Sequence, residues 1–198
     1  MQIKIINAVE YQSVAKIHLS AFPNFFLTTL GLKFLETYYK ASLKSNETVA
    51  VGAYNEVDKI IGFSIGCQHS LGFHKRLVKK NFFSFLFRGI ILIITKPKAI
   101  IRLVKNFDKN ANPADDGNYA ELLSIGVSSE LKGSGIGKEL IHYFEDELKK
   151  RNCKRVSLTT DETDNETVVF FYKKNGYEVM YEFTTYPNRK MYKMIKNL

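Results

Sequence analysis

Three glycines alternate at the head of a helical pattern. The segment KGSGIGK, Lys132–Lys138, places Gly133, Gly135 and Gly137 around Ser134 and Ile136. Glycine allows positive φ and lets a backbone approach a ligand closely. A helix beginning there turns its first unpaired N–H groups, and the positive end of its dipole, onto the same space. The chemistry this suits is the binding of an anion, best a phosphate or diphosphate, with Lys132 and Lys138 adding charge at the flanks. The common phosphate motifs do not fit. A P-loop needs its lysine followed by Ser or Thr, whereas Lys138 precedes Glu139, and the third glycine arrives one residue too early for GxGxxG. A ligand cradle and a plain Gly-rich helix cap both remain open on this segment alone.

The elements around it follow from periodicity. Met1–Ala8 alternates as a strand, and Tyr11–Ala21 and Thr28–Leu43 carry apolar residues at helical spacing, the first stopping at Pro23. Thr48–Tyr54 and Lys59–Cys67 read as strands about a turn at Asn55–Asp58. A basic stretch with helical patterns broken at Pro97 follows, then the Pro/Gly/Asp-rich loop Ala111–Asn118. Ala120–Val127 is a buried strand, Gly135–Arg151 an amphipathic helix with Ile136, Leu140, Ile141, Phe144 and Leu148 on one face, and Arg155–Thr160 a strand. Glu166–Asn175 is a helix ending at a left-handed cap, Gly176. Tyr177–Thr185 and Lys190–Ile195 pair across Pro187-Asn188. The chain is therefore α/β with a mixed sheet.

Strand, KGSGIG loop and helix together resemble the acetyl-CoA motif of the GNAT N-acetyltransferase superfamily, Arg/Gln-x-x-Gly-x-Gly/Ala, with Lys132 at the Arg/Gln place and Gly135 and Gly137 as its glycines. The family's second block, an Asn, a helix and a Tyr before a Gly-aromatic pair, has its counterpart in NETVVFFYKKNGY: Asn165, Tyr172, Gly176 and Tyr177. The resemblance covers most of the chain and is strongest from Glu121 to Tyr177. It implies a GNAT-like, mostly antiparallel central sheet flanked by helices. The whole of 1–198 would form one domain, with a basic helical insertion at about 68–118 between the third and fourth strands.

The same resemblance implies acetyl-CoA as the acyl donor and an amine as acceptor. Ile125, Gly126 and Val127 would bind the pantetheine arm and acetyl carbonyl through their backbone, with Gly126 fitting a bulge there. The N–H groups from Lys132 through Gly133, Ser134, Gly135, Ile136 and Gly137 to Lys138 would hold the diphosphate, and Asn165 the pantetheine. Lys132 departs from the pattern, because lysine lacks the planar fork of arginine. Tyr172 would give a proton to the departing sulfur, although the aromatic run Phe170-Phe171-Tyr172 also reads as core. Glu121, at the start of the central strand, would be the general base acting through water, or only a solvated strand-end charge. Asp161 and Glu162 are lesser candidates for that role. Phe25 and Phe26, between the first two helices, would supply apolar contacts to the acceptor.

The net charge of +9 comes from 29 basic and 20 acidic residues. From Gln68 to Asn110 ten Lys or Arg face one acid, Asp108, so this stretch holds the whole excess. Such a local block suits a local task, and no nucleic-acid motif accompanies it. Three uses compete: selection of an anionic acceptor such as a nucleotide-linked amino sugar, toward which the charge leans; an interfacial helix pair on anionic lipid, with Phe82, Phe83, Phe85, Leu86 and Phe87 beside Lys79, Lys80 and Arg88; or a dimerisation hairpin. His69 and His74 flank its start, within reach of an acceptor. The apolar run Phe82–Ile94 is too short to span a bilayer. Two cysteines, Cys67 and Cys153, permit no disulfide framework or Cys-rich zinc site, and the histidines show no metal spacing. With no signal-peptide pattern at the N-terminus, the expectation is a cytoplasmic acetyltransferase for a small amine. Acetylation of a protein N-terminus or lysine, and a non-catalytic acyl-CoA sensor, are the alternatives.

Overall fold

The computed structural model of the chain describes residues 1–107 and 115–198. Seven strands form one sheet in the order β1-β2-β3-β4-β5-β7-β6. They are β1 (Gln2–Ile5), β2 (Thr48–Tyr54), β3 (Ile60–Cys67), β4 (Ala120–Val127), β5 (Arg155–Asp161), β6 (Glu178–Thr185) and β7 (Arg189–Asn197). Every neighbouring pair is antiparallel except β4 and β5. This is the mostly antiparallel, helix-flanked sheet expected from the sequence.

Both faces of the sheet are covered, which explains why β2 is buried at every position. Its residues sort by the period of two: Ala50 and Tyr54 join one core with α1 (Tyr11–Ala21) and α3 (Leu32–Leu43), while Val49, Val51 and Ala53 join the other. The second core is built on α7 (Ile136–Lys150), whose Ile136, Leu140, Ile141, Phe144 and Leu148 are all buried, with Tyr172 of α8 (Glu166–Lys174) against it. Gly176 caps α8 at φ +87°, the left-handed cap foreseen.

Three details differ from the sequence reading. The helix expected over Thr28–Leu43 is two, α2 (Phe26–Thr29) and α3, because Gly31 turns the chain at φ +90°. The bulge expected at Gly126 lies earlier: Leu122 pairs with Gly66 and Ser124 with Ile65, so Leu123 is the extra residue, while Gly126 pairs regularly with Phe63. Gly126 is small for another reason, since a Cβ there would stand 3.0 Å from the ring of Phe22. Between β3 and β4 stand α4 (Phe73–Lys80), α5 (Phe82–Thr95) and α6 (Pro97–Phe107). Pro97 breaks the pattern by starting a helix, at the position where its missing N–H costs nothing. Residues 108–114, which hold Asp108, Lys109 and part of the expected loop, lie outside the described residues.

Candidate functional site

β4 and β5 run together for only three residue pairs, Ala120–Leu122 against Val156–Leu158. Both strands continue beyond, β4 to Val127 and β5 to Asp161, without pairing. The bulge at Leu123 begins where the pairing stops, and its extra residue bends β4 away from its parallel neighbour. Ile125, Gly126 and Val127 remain bonded to β3, through Ser64, Phe63 and Gly62, and leave their other edge free toward the gap. An unpaired strand edge is a template for an extended ligand carrying amides of its own.

The glycine loop lies at the end of β4, ahead of α7. Gly133 and Gly135 sit at φ +82° and +86°, which a side chain would strain, and nothing lies within 4 Å of a Cβ built on either. The amides of Lys132, Ser134 and Lys138 bond to Ser129, Leu131 and Gly135 carbonyls. Those of Gly133, Gly135, Ile136 and Gly137 have no partner among the described residues. The N-cap of α7 is Gly135, which offers no side chain to satisfy them. Four open amides at a helix N-terminus are the donor set a diphosphate needs, so the loop fits the coenzyme expected from the sequence. Gly137 is the second residue of α7, and a Cβ there would meet only the ring of Phe171, at 3.8 Å, which shows that α8 lies beside this turn.

On α8, Asn165 precedes the first turn. Its amide nitrogen donates to Thr160 Oγ1 at 2.8 Å and to the Asp161 carbonyl at 2.9 Å, which fixes the side chain at the end of β5. Tyr172 is buried against Phe171 and Tyr177, with ring centroids 5.3 and 5.7 Å away. Burial pushes its pKa up, so the phenol stays protonated. Its hydroxyl has no hydrogen-bond partner among the described residues.

On the other face of the sheet lies a cavity of about 620 Å³. Its walls are apolar: Phe26 and Leu27 of α2, Phe34 of α3, Leu77 and Val78 of α4, Phe85 and Leu92 of α5, and Ile100 of α6. Its polar floor joins Glu121 of β4, Thr159 of β5, Tyr181 of β6 and Lys193 of β7 to Ser70, Asp115 and Tyr119, with the ring of Phe183 of β6 beside them. Glu121 accepts from Lys193 Nζ at 2.7 Å and from Ser70 Oγ at 2.5 Å. Burial alone would raise its pKa, but the Lys193 ammonium and the two hydrogen bonds outweigh that and hold it below the usual carboxylate value. Asp115 accepts from the Tyr181 and Tyr119 hydroxyls at 2.6 and 2.7 Å and from the Gly117 amide at 3.0 Å. Its pKa is likewise lowered: burial acts upward, and these donors and Lys193 overcome it.

The sequence reading thus divides between the two faces. Tyr172, Asn165 and the glycine loop belong to the α7–α8 side, Glu121 and Phe26 to the cavity side, and the β4–β5 gap connects them. Phe25 is not in the cavity wall; it is exposed, with the Arg189 guanidinium 5.2 Å from its ring. Arg189 is held by Asp161, one of the lesser candidate bases. His74 lines the cavity beside Tyr38, and His69 does not. Among the described residues, none of the insertion's Lys or Arg side chains lines it. Asp115, Tyr119, Tyr181 and Lys193 were not foreseen. The only local sign was an acidic pair, Asp115-Asp116, in a segment otherwise read as loop.

One more buried group stands near the gap. His18 Nδ1 lies 2.6 Å from the Tyr39 hydroxyl, which donates to Ser124 Oγ at 3.5 Å. Burial lowers the His18 pKa to about 4, so the imidazole is neutral. Among the described residues no group of His, Cys, Asp and Glu could hold a metal ion.

The family model described as Acetyltransferase (GNAT) family matches residues 11–177. The uncharacterized protein YdhI of Bacillus subtilis (strain 168) is 35% identical over 63 residues, 32% of this chain and 38% of that protein, so the match spans well under half of the relative's length. Among solved structures, an aminoglycoside 6'-acetyltransferase type Ii superposes with a TM-score of 0.64 at 17% identity, over 100% of this chain and 97% of that one. An aminoglycoside 6'-N-acetyltransferase complexed with coenzyme A gives 0.61 at 17%, over 100% and 97%. The ribosomal-protein-S18-alanine N-acetyltransferase from Escherichia coli gives 0.61 at 12% identity, over 99% and 92%. At these identities the likeness is one of fold.

Proposed function

Because the chain belongs to the GNAT acetyltransferase family, whose members are N-acetyltransferases using acetyl-CoA, we propose that it transfers an acetyl group to a primary amine carried on an apolar body. On this reading all of 1–198 serves one acetyltransferase domain. The observation that carries the choice of acceptor is the cavity. Its walls are aliphatic and aromatic, and its charged lining residues, Asp115, Glu121 and Lys193, sum to −1. An ammonium group is drawn to such a floor, and an apolar body fills the walls. A phosphorylated amino sugar would meet two carboxylates and, among the described lining residues, no free Lys or Arg, since Lys193 is committed to Glu121. The aminoglycoside and ribosomal-protein acetyltransferases among the fold neighbours are too distant to decide between acceptors.

Acetyl-CoA, when bound, supplies the activated acetyl thioester. The amides of Gly133, Gly135, Ile136 and Gly137 hold its diphosphate, with Lys132 and Lys138 adding charge. The free edge of Ile125, Gly126 and Val127 binds the pantetheine arm, and Asn165, whose Oδ1 is left over after its nitrogen is anchored, accepts from it. Glu121 and Asp115 attract the acceptor ammonium. Glu121 takes the amine proton through water; because Lys193 lowers its basicity, it passes that proton on to solvent rather than storing it. Tyr172 keeps a proton at its hydroxyl and donates it to the departing sulfur. Phe26 packs against the acceptor's body.

Thiol release from acetyl-CoA, followed with a panel of amines, tests the reading. Arylalkyl and alkyl amines are expected to turn over, and phosphorylated amino sugars not to. Turnover only with the sugars, or only with a peptide N-terminus, would refute the acceptor class. Coenzyme binding without thiol release from any amine would favour a sensor.

A further inference from the structure

The helix α5 is apolar on every side. Of its residues Phe82–Thr95 only Ser84, Arg88 and Thr95 are polar, apart from Gly89. One face is accounted for: Phe85, Gly89 and Leu92 line the cavity, and Phe85 meets Phe34 edge-on, 6.3 Å between centroids. The opposite face is not. Phe83 is 83% exposed, Ile94 78% and Phe87 62%, and Phe82, Leu86, Ile90 and Ile93 are each about half exposed or more. A helix at the surface of a water-soluble domain carries polar residues outward. A contiguous apolar face of this kind marks an interaction surface.

Charge identifies what it meets. From residue 68 to 107 there are nine Lys or Arg and no Asp or Glu. Lys79 and Lys80 are exposed just before α5, Lys80 with Glu47 at 3.8 Å, and Lys98 is exposed just after it, while Lys96 donates to the Thr29 carbonyl; the apolar face is thus bracketed by cations at both ends. Arg102 and Lys105 follow on α6, beside the half-exposed Ile101. A second copy of this chain laid against the face would bring like charges together whichever way the helices ran, since both ends are basic. An anionic surface with an apolar interior satisfies both features at once. At 14 residues α5 is about 21 Å long, too short to cross a bilayer of about 30 Å. Among the described residues no helix is long and apolar enough to do so.

We propose that α5 lies in the plane of an anionic lipid surface, with Phe83, Phe87, Ile90 and Ile94 sunk among the acyl chains and Lys79, Lys80 and Lys98 against the headgroups. The same helix roofs the acceptor cavity, so the cavity then opens close to the lipid boundary. That position agrees with an acceptor having an apolar body, but the docking itself does not depend on acetyl transfer.

Cosedimentation with vesicles tests this without any enzyme assay, so a failed amine panel leaves it standing. The intact protein is expected to pellet at low salt with vesicles of phosphatidylglycerol and phosphatidylcholine, and to stay in solution with phosphatidylcholine alone. Phe83→Glu with Ile94→Glu should abolish pelleting while thermal melting and acetyl-CoA affinity stay as in the parent chain, because both side chains already face water. Lys79→Gln and Lys98→Gln should each weaken binding by about fivefold. No pelleting with the anionic vesicles, equal pelleting with neutral ones, or an unchanged Phe83→Glu/Ile94→Glu variant would overturn the proposal. So would a lipid-free dimer, seen by sedimentation equilibrium, that the same double variant dissolves, for then the face belongs to a second copy.

Discussion

Removing the cation at the cavity floor should leave a buried carboxylate stranded, and the consequence can be worked out. Lys193 Nζ stands 2.7 Å from Glu121 Oε1, with side chains only 8% and 17% exposed. At that separation two unit charges interact by about 6 kcal/mol with an effective dielectric constant of about 20. Lys193→Met keeps the length of the stem and deletes the charge. Ser70 still donates to Glu121, but breaking a buried pair on one side costs about 3–5 kcal/mol. The pH dependence carries the diagnosis. In the parent chain the Glu121 pKa is lowered, so its contribution is present above the ordinary glutamate value and lost as pH falls through the lowered one. In Lys193→Met the largest force opposing burial is gone, with only Ser70 and His74 left against it, and the pKa rises. Stability is then lost as pH rises from the ordinary value through the raised one, because the native state must shed a proton it prefers to keep. The gap between the two chains in urea unfolding should therefore be about 3–5 kcal/mol at pH 7.5 and should shrink steadily toward pH 4.5. Lys193→Met combined with Glu121→Gln removes both charges and should cost less than Lys193→Met alone. A gap below about 1 kcal/mol at pH 7.5, the size of an exposed pair, or one that does not change with pH, would refute the picture of a buried, mutually dependent pair.

Four further outcomes are expected. Tyr172→Phe should slow acetyl transfer by roughly a hundredfold or more while calorimetry finds acetyl-CoA affinity nearly unchanged, since the hydroxyl bonds to none of the described residues. Gly135→Ala meets no atom within 4 Å, so unfolding should show only the left-handed strain, about 1–2 kcal/mol; acetyl-CoA affinity should fall by about tenfold or more as the methyl group enters the space of the diphosphate. Asp115→Asn should raise the KM of the amine with little change in that of acetyl-CoA, as steady-state kinetics with each substrate varied will show. Finally, His18, with its pKa lowered from 6.5 to about 4, makes the unfolded chain the better proton binder between those values. Stability should fall by about 1.4 kcal/mol per pH unit from pH 6.5 downward, and urea melts of His18→Gln should lose that slope.

The fold was legible wherever one local pattern had one physical reading. The stripe Ile136, Leu140, Ile141, Phe144 and Leu148 could only be a helix face against a core, and it is buried in full. The alternation in β2 was hidden by burial on both sides, yet an unbroken apolar run between turns still read as a strand. Errors arose where one residue decides the geometry. Gly31 breaks a helix whose apolar spacing continues across it, because periodicity says nothing of φ. The bulge falls on Leu123 rather than Gly126, because register is fixed by the partner strand: Gly66 lies under Phe144 and the Glu121 carbonyl so closely that β4 must shift there.

The candidate site shows the same division. The half proposed for the donor is, Asn165 and Tyr172 apart, made of backbone, and such a backbone site leaves a compact trace: glycines where side chains would intrude, a helix beginning at the loop, and a strand edge released by a bulge. All of it lies between Leu123 and Gly137, within reach of a local pattern. The acceptor half is made of side chains brought together from α2 through α6, the segment before β4, and four strands. Lys193 and Glu121 are 72 residues apart, and Tyr181 and Asp115 are 66 apart. No spacing rule links such pairs; only the sheet order, which sets β7 beside β5 and β5 beside β4, brings them to one floor. The charge count was incomplete for a related reason. It placed the excess correctly in the segment between β3 and β4 but could not say which way the side chains turn. Of the described cations of α4–α6, Lys79 and Lys98 are exposed, whereas Arg76 binds Glu47, Arg88 binds Thr37 and Arg102 lies over the Phe26 ring; the apolar residues face both the cavity and the exterior. On the readings proposed above, the excess charge of this chain bears on what lies outside the protein, and the acceptor is drawn by two carboxylates, Asp115 and Glu121, that composition alone would have counted as noise.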